Sequence, residues 1–210
     1  MNDINRNRDK TSILFVCCGN RERSVIAENL LRQRIEDDYP QLSDKVSIGS
    51  AGIFPRSYLK HARDHGIMFE RPYFDKAPNI YAIEFLDKRG IDISSYRSRQ
   101  IDENMVTEAG LILTVDQRIR DEILKIYPES LGRIFTFKEF TFGPNQPDLD
   151  IGDSMKLPDI DRKTGAWIWP DEYPASYIND IEKCLSSSMD KFAGYIRNSI
   201  RKGVPTASPF

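Results

Sequence analysis

The stretch Ile13–Ser24, ILFVCCGNRERS, constrains this chain more than any other. Four apolar residues, Ile13 to Val16, read as a short buried strand, and a helical pattern begins at Val25. Between them lies Cys17-Cys18-Gly19-Asn20-Arg21-Glu22-Arg23-Ser24. A strand that turns tightly into a helix makes an anion site, because the first amides of the helix have no partner within it and point outward. A cysteine held in such a ring of amides favours its charged thiolate form. Arg23, six residues after Cys17, supplies a planar fork that fits two oxygens of a phosphate. The pair therefore combines a nucleophile with an oxyanion holder. The plainer reading makes Cys17 and Cys18 two small hydrophobes at a strand end.

C-x-G-N-x-x-R-S after an apolar strand resembles the phosphate loop of the low-molecular-weight protein tyrosine phosphatases. The resemblance implies that Cys17 is the nucleophile and that Cys18, Gly19, Asn20, Arg21, Glu22, Arg23 and Ser24 hold the phosphate, Arg23 also stabilising the transition state. It further implies that Ser50, in the S-A-G at 50–52, braces Asn20. A helix followed by Gly90-Ile91-Asp92 and then by Arg99-Gln100-Ile101 also resembles the family; alone, these residues read as a polar loop after a helix cap.

Composition narrows the alternatives. A net charge of −2 over 210 residues gives no case for nucleic acid or an anionic membrane as partner. No apolar run approaches the length of a bilayer span, and the polar opening MNDINRNRDK has no apolar signal core. The cysteines are Cys17, Cys18 and Cys184. They are odd in number and lack framework spacing, which fits a reducing cytoplasm. His61 and His65, four apart with no third ligand in view, make a poor metal centre, so neither metal nor cofactor is expected.

Along the chain, residues 1–11 read as a disordered lead-in, 12–201 as the domain and 202–210 as a tail. Helices are expected at Ser24–Asp38, Ala77–Arg89, Arg118–Tyr127 and Tyr173–Arg201, and strands at Val46–Ile48, Leu111–Val115 and Arg133–Phe137, from apolar periodicity and turn residues. Taken alone, the Ser50-Ala51-Gly52 that follows the strand and Gly49 reads as a simple turn. Residues 53–76, aromatic and basic, look like an insertion able to form one wall of a cleft beside the loop. Residues 141–172 read as a long loop, rich in Pro, Asp and Gly over 141–158. Alternating strands and helices imply an α/β fold: a single open four-stranded parallel sheet with helices on both faces, flavodoxin-like. Cys17 then sits at the carboxyl end of the first strand, where such sheets bind ligands. Asp116 ends the third strand on the same side, although it also reads as a helix cap.

Phosphate-ester cleavage needs a proton for the leaving oxygen. In the family an Asp-Pro-aromatic stretch before the last helix carries the acid, and no Asp-Pro occurs there in this chain. Asp159, in Leu157-Pro158-Asp159-Ile160, is the preferred candidate over Asp171, in Trp169-Pro170-Asp171-Glu172-Tyr173. Trp167, Trp169 and Tyr173 would flank a substrate ring or cover the edge of the core. The loop itself departs from the family at Arg21 and at Glu22, which stands where a second cysteine is common. The expected activity is hydrolysis of a phosphorylated protein, notably phosphotyrosine, or of a small phosphomonoester through a phosphocysteine, with phosphate as product. Two alternatives remain: a phosphate-binding module of weak turnover, and an arsenate reductase, which needs redox cysteines that LILTVDQR (111–118) lacks.

Overall fold

The computed structural model describes residues 10–64, 73–152, 159–160, 167–168 and 175–202. The elements run β1 (Thr11–Cys17), α1 (Arg23–Asp38), β2 (Val46–Gly52), α2 (Arg56–Asp64), α3 (Ile80–Asp87), α4 (Glu103–Glu108), β3 (Leu111–Thr114), α5 (Gln117–Ile126), β4 (Ile134–Thr136), α6 (Phe137–Phe142), β5 (Asp159–Ile160), β6 (Trp167–Ile168) and α7 (Ala175–Lys202). β1 to β4 form one sheet in the order β2-β1-β3-β4, with every pairing parallel. β5 and β6 pair antiparallel as a separate ribbon.

Parallel strands are buried on both faces and read as continuous apolar runs. β1 (TSILFVC) and β3 (LILT) follow that rule, with Ile13, Phe15, Val16 and all of β3 within the core. The chain leaves β1 through α1 to β2 on one side. It leaves β3 through α5 to β4 on the other. Right-handed crossovers in opposite directions put α1 and α5 on opposite faces and open a crevice where the strand order reverses, between β1 and β3. The carboxyl end of β1, and with it Cys17, lies at that crevice. On the α1 face, α7 lays its apolar stripe against β1 and α6. Phe192 packs on Phe15, Phe137 and Phe140 with ring centroids 4.8–6.5 Å apart. Each such buried ring contributes about 1.5–3 kcal/mol.

The open four-stranded parallel sheet expected from the sequence is the one found, with differences at its margins. Thr11, read as the last residue of the lead-in, pairs with Val46 in the sheet. β2 continues through Gly52, so Gly49–Gly52 is strand rather than turn. α3 starts three residues after the expected Ala77, because Pro78 disfavours a helical residue before it and Asn79 caps the helix through Tyr81 N. α4 and α6 were not anticipated. Asp102 caps α4 through Met105 N, and Thr136 and Glu139 form a reciprocal capping box on α6. α6 and the β5–β6 ribbon take up part of the region read as a long loop. No helix among the described residues is long and apolar enough to cross a membrane. Residues 1–9, 203–210, His65, Trp169, Asp171 and Tyr173 lie outside the described residues; His61 is in α2 and Trp167 in β6.

Candidate active site

Cys17 ends β1 almost wholly buried, at 3% exposure. The chain then turns through Asn20, whose φ of 51° is left-handed, and enters α1 at Arg23. Asparagine tolerates that conformation better than most residues. The turn brings the Asn20 amide back onto the Cys17 sulfur, N to Sγ 3.2 Å. Ser24 Oγ lies 3.0 Å from the same sulfur. Asn20 Nδ2 donates to Ser24 Oγ at 3.0 Å, which directs the serine's own hydrogen toward Sγ. A thiolate at Cys17 thus meets two donors.

A buried network holds Asn20 in turn. Its Nδ2 also donates to Ser50 Oγ (2.9 Å), and its Oδ1 accepts from Tyr96 Oη and from the Arg99 amide, both at 2.8 Å. Ser50 donates to Glu28 Oε2 at 2.6 Å, and Tyr96 Oη lies 2.9 Å from Ser50 Oγ. Glu28 pairs with Arg32 at 2.9 Å, and Arg99 Nη2 donates to the Ser50 carbonyl at 2.9 Å. Burial pushes the Tyr96 phenol above its ordinary range, so it remains a neutral donor. α1, β2 and the segment before Ile101 therefore converge on one asparagine. Networks of this kind, when fully satisfied, fix a single arrangement.

The loop packs tightly on β2. A Cβ on Gly52 would fall 2.6 Å from the Cys18 carbonyl oxygen, 2.9 Å from the Asn20 amide nitrogen and 2.7 Å from the Phe74 ring. Only glycine fits that approach. Phe54, just past β2, stacks near Tyr73 and Phe74 with centroids 5.2 and 5.7 Å away, and its edge reaches 3.9 Å from the Cβ position of Gly19. The described ends of the segment 53–76 thus meet beside the loop as an aromatic wall. Arg21 turns out of the loop and donates through Nε to the Ala77 carbonyl at 2.7 Å, while the Asn79 amide donates to the Arg21 carbonyl at 2.8 Å.

Arg23 is 4% exposed and reaches the Ile151 carbonyl with Nη1 at 3.3 Å. Glu22 is also buried, and its Oε1 accepts from the hydroxyl of Tyr177 on α7. Ile151 and Tyr177 flank residues 152–176 and are tied to consecutive loop residues, Arg23 and Glu22. Cys18 is half-buried. Asp116 is spent on α5: its Oδ1 accepts from the Ile119 amide at 2.9 Å, and Arg118 lies 3.5 Å from its Oδ2. Asp159 stands in β5, its backbone opposite Ile168. Among the described residues no group of three His, Cys, Asp or Glu side chains has the arrangement to hold a metal ion.

The chain matches the model of the low molecular weight phosphotyrosine protein phosphatase family over residues 12–162. It belongs to that family. It is 30% identical over 166 residues to a protein of Ralstonia nicotianae named a probable low molecular weight protein-tyrosine-phosphatase, covering 75% of this chain and 93% of that one. An arsenate reductase of Staphylococcus aureus is 32% identical over 106 residues, half of this chain and 60% of its own. Among solved structures, the YwlE arginine phosphatase from Geobacillus stearothermophilus superimposes with a TM-score of 0.60 at 23% identity, covering 88% of this chain and 94% of that one, which is a likeness of fold.

Several participants escaped the sequence reading. Tyr96, Glu28 and Arg99 reach Asn20 or Ser50 from elsewhere in the fold. Tyr177 meets the loop across 155 positions. Only Arg99 carried a signal, in the Arg-Gln-Ile resemblance. The others look like an ordinary loop tyrosine, a surface acid of a helix and a core aromatic of α7.

Proposed function

We propose that this phosphatase acts on aryl phosphomonoesters, phosphotyrosine in proteins foremost, through a phosphocysteine on Cys17. One observation carries the reading. The Cys17 sulfur is held by the Asn20 amide and the Ser24 hydroxyl at the mouth of the β1–β3 crevice, with the buried Arg23 closing the same loop. Cys17 as thiolate attacks phosphorus while the ester P–O bond breaks. Arg23 and the loop amides of Cys18 to Ser24 stabilise the equatorial oxygens. The Asp159 carboxyl gives its proton to the leaving oxygen; the family match includes Asp159 and ends before Asp171. Water then attacks phosphorus, Asp159 takes its proton, the P–S bond breaks and phosphate leaves. Ser24 donates to the sulfur as it departs.

The rings of Phe54, Tyr73 and Phe74 beside the loop suit a flat aromatic leaving group. The arsenate reductase reading needs a second reactive thiol. Cys18 adjoins Cys17 in the chain, and Cys184 is buried in α7 with its thiol pushed up to about 12 by burial. The catalytic unit is taken as residues 12–201, and three free thiols suit the reducing cytoplasm.

Hydrolysis of p-nitrophenyl phosphate, followed by mass spectrometry of acid-quenched protein, tests the mechanism. Phosphate on Cys17 is expected. Steady hydrolysis with no covalent phosphate at that residue would exclude it. Phosphotyrosine peptide should be preferred over phosphoserine peptide, and Phe54→Ala should narrow the preference.

A further inference from the structure

Glu22 is an odd residue for its position. It stands at the N-cap of α1, where a short side chain such as Asp or Ser normally turns back to accept from the amides of the first turn. Here it makes no such bond. Its carboxylate, 7% exposed, instead accepts from the hydroxyl of Tyr177, itself 1% exposed. Those first-turn amides are the ones a phosphate needs. A carboxylate on a two-carbon arm that can reach them is a built-in competitor for the site, because it is an anion that the same donors and the same helix end would favour.

We propose that Tyr177 is a positioning residue that holds the Glu22 carboxylate away from the N-terminal amides of α1 and so keeps the loop open to phosphate. This rests on the phosphate-loop reading above. A phenol donating to a carboxylate makes a charge-assisted bond, strong enough to fix the rotamer of a buried acid. Burial alone would not do so, since a carboxylate left unpaired in the protein interior seeks the nearest donors. Because Glu22 is itself the N-cap of α1, the donors next to it along the chain are the loop's and the first turn's own amides. The arrangement also links α7 to the loop chemistry: displacing Tyr177 would let the chain inhibit itself.

The test is phosphate binding to the full chain, by titration calorimetry, in four proteins: wild type, Tyr177→Phe, Glu22→Gln and Glu22→Gln/Tyr177→Phe. Tyr177→Phe should weaken phosphate by about tenfold or more, the equivalent of one charge-assisted hydrogen bond given to the competitor. Glu22→Gln keeps an acceptor for Tyr177 but removes the charge, and should bind phosphate at least as tightly as wild type. The double variant should recover the affinity that Tyr177→Phe loses. A structural role for Tyr177 would leave the double variant as weak as the single one, and that outcome overturns the proposal. So does a Tyr177→Phe variant that binds like wild type while its circular dichroism is unchanged. A wild type that binds no phosphate would overturn the loop reading itself, and this inference with it.

Discussion

Cys17 and Cys18 differ by one position and should differ by most of the activity. Only Cys17 lies six residues before Arg23, and its sulfur is the one that meets Ser24 and the Asn20 amide. Cys17→Ser should therefore lose turnover of p-nitrophenyl phosphate while still binding phosphate, and Cys18→Ser should keep most of it. Equal losses in steady-state assays would remove the distinction. Gly52→Ala is the harsher test of the loop's seat, because the added methyl would meet backbone atoms at 2.6 and 2.9 Å, which have no side-chain freedom to yield. Overpacking of this kind costs roughly 1–3 kcal/mol, measurable by urea unfolding, and should lower turnover too by shifting Asn20. The grouping of Cys17, Asn20 and Ser24 was legible in the sequence because the turn that joins them is local. The network behind it was not. Tyr96 lies 76 positions from Asn20 and Glu28 lies 22 from Ser50, and nothing in their neighbours marks them as partners. The proposed acid rests on analogy, and a leaving-group test separates Asp159 from Asp171. Asp159→Asn should cost phosphotyrosine peptides about 10²–10⁴-fold and p-nitrophenyl phosphate much less, since its phenolate leaves with little help. Equal losses on both substrates would assign Asp159 another role.

At the scale of elements, what the sequence concealed were the short helices. α4 and α6 have six residues each, too few for an apolar period to emerge, and they stand because of their caps and their packing. The signal for α6 was present as Thr136-Phe-Lys-Glu139, a capping box read instead as the end of a strand. Thr136→Ala should lower stability by about 1 kcal/mol in urea unfolding, a loss attributable to the cap. The longer elements were legible because periodicity accumulates over them: α1, α5 and α7 were anticipated to within a few residues. The course of β2 was misread where Ser50-Ala51-Gly52 looks like turn sequence. It stays extended because Gly52 pairs beside Cys17 and its amide donates to the Arg99 carbonyl at 2.8 Å. Those partners lie far away in the chain, and local propensity is a weak guide where tertiary pairing decides. The same extension carries Phe54 to the loop, where it meets Tyr73 and Phe74.

Over the whole molecule, the loop from Cys17 to Ser24 is a junction. It joins β1 to α1, meets β2 through Gly52 and Ser50, receives Tyr96 and Arg99 from the connection to β3, and contacts Ile151 and α7 through Arg23 and Glu22. Alternation of strands and helices made the sheet legible, but this convergence arises only from the fold. Cys184 shows the opposite case of a thiol absorbed into the core. With its thiol pushed up to about 12 by burial, the reactive thiolate is a minor form at pH 8, and iodoacetamide should label Cys17 and Cys18 first. Rapid labelling of Cys184 in the folded protein would contradict its placement. A ligand seated at a junction should stabilise everything joined there. If phosphate or vanadate seats in this loop only in the folded chain, a hundredfold excess over its dissociation constant should add about 2.7 kcal/mol to unfolding. For a chain of this size that corresponds to roughly 5–10 °C in Tm. Cys17→Ser should retain the shift under phosphate, because the amides and Arg23 remain. Arg23→Lys keeps the charge but loses the planar fork, and its shift should shrink by several degrees. Differential scanning calorimetry at fixed pH and ionic strength reads all three proteins. An equal shift in wild type and Arg23→Lys would mean that the stabilising anion sits elsewhere, and would separate the buried arginine from the oxyanion role assigned to it.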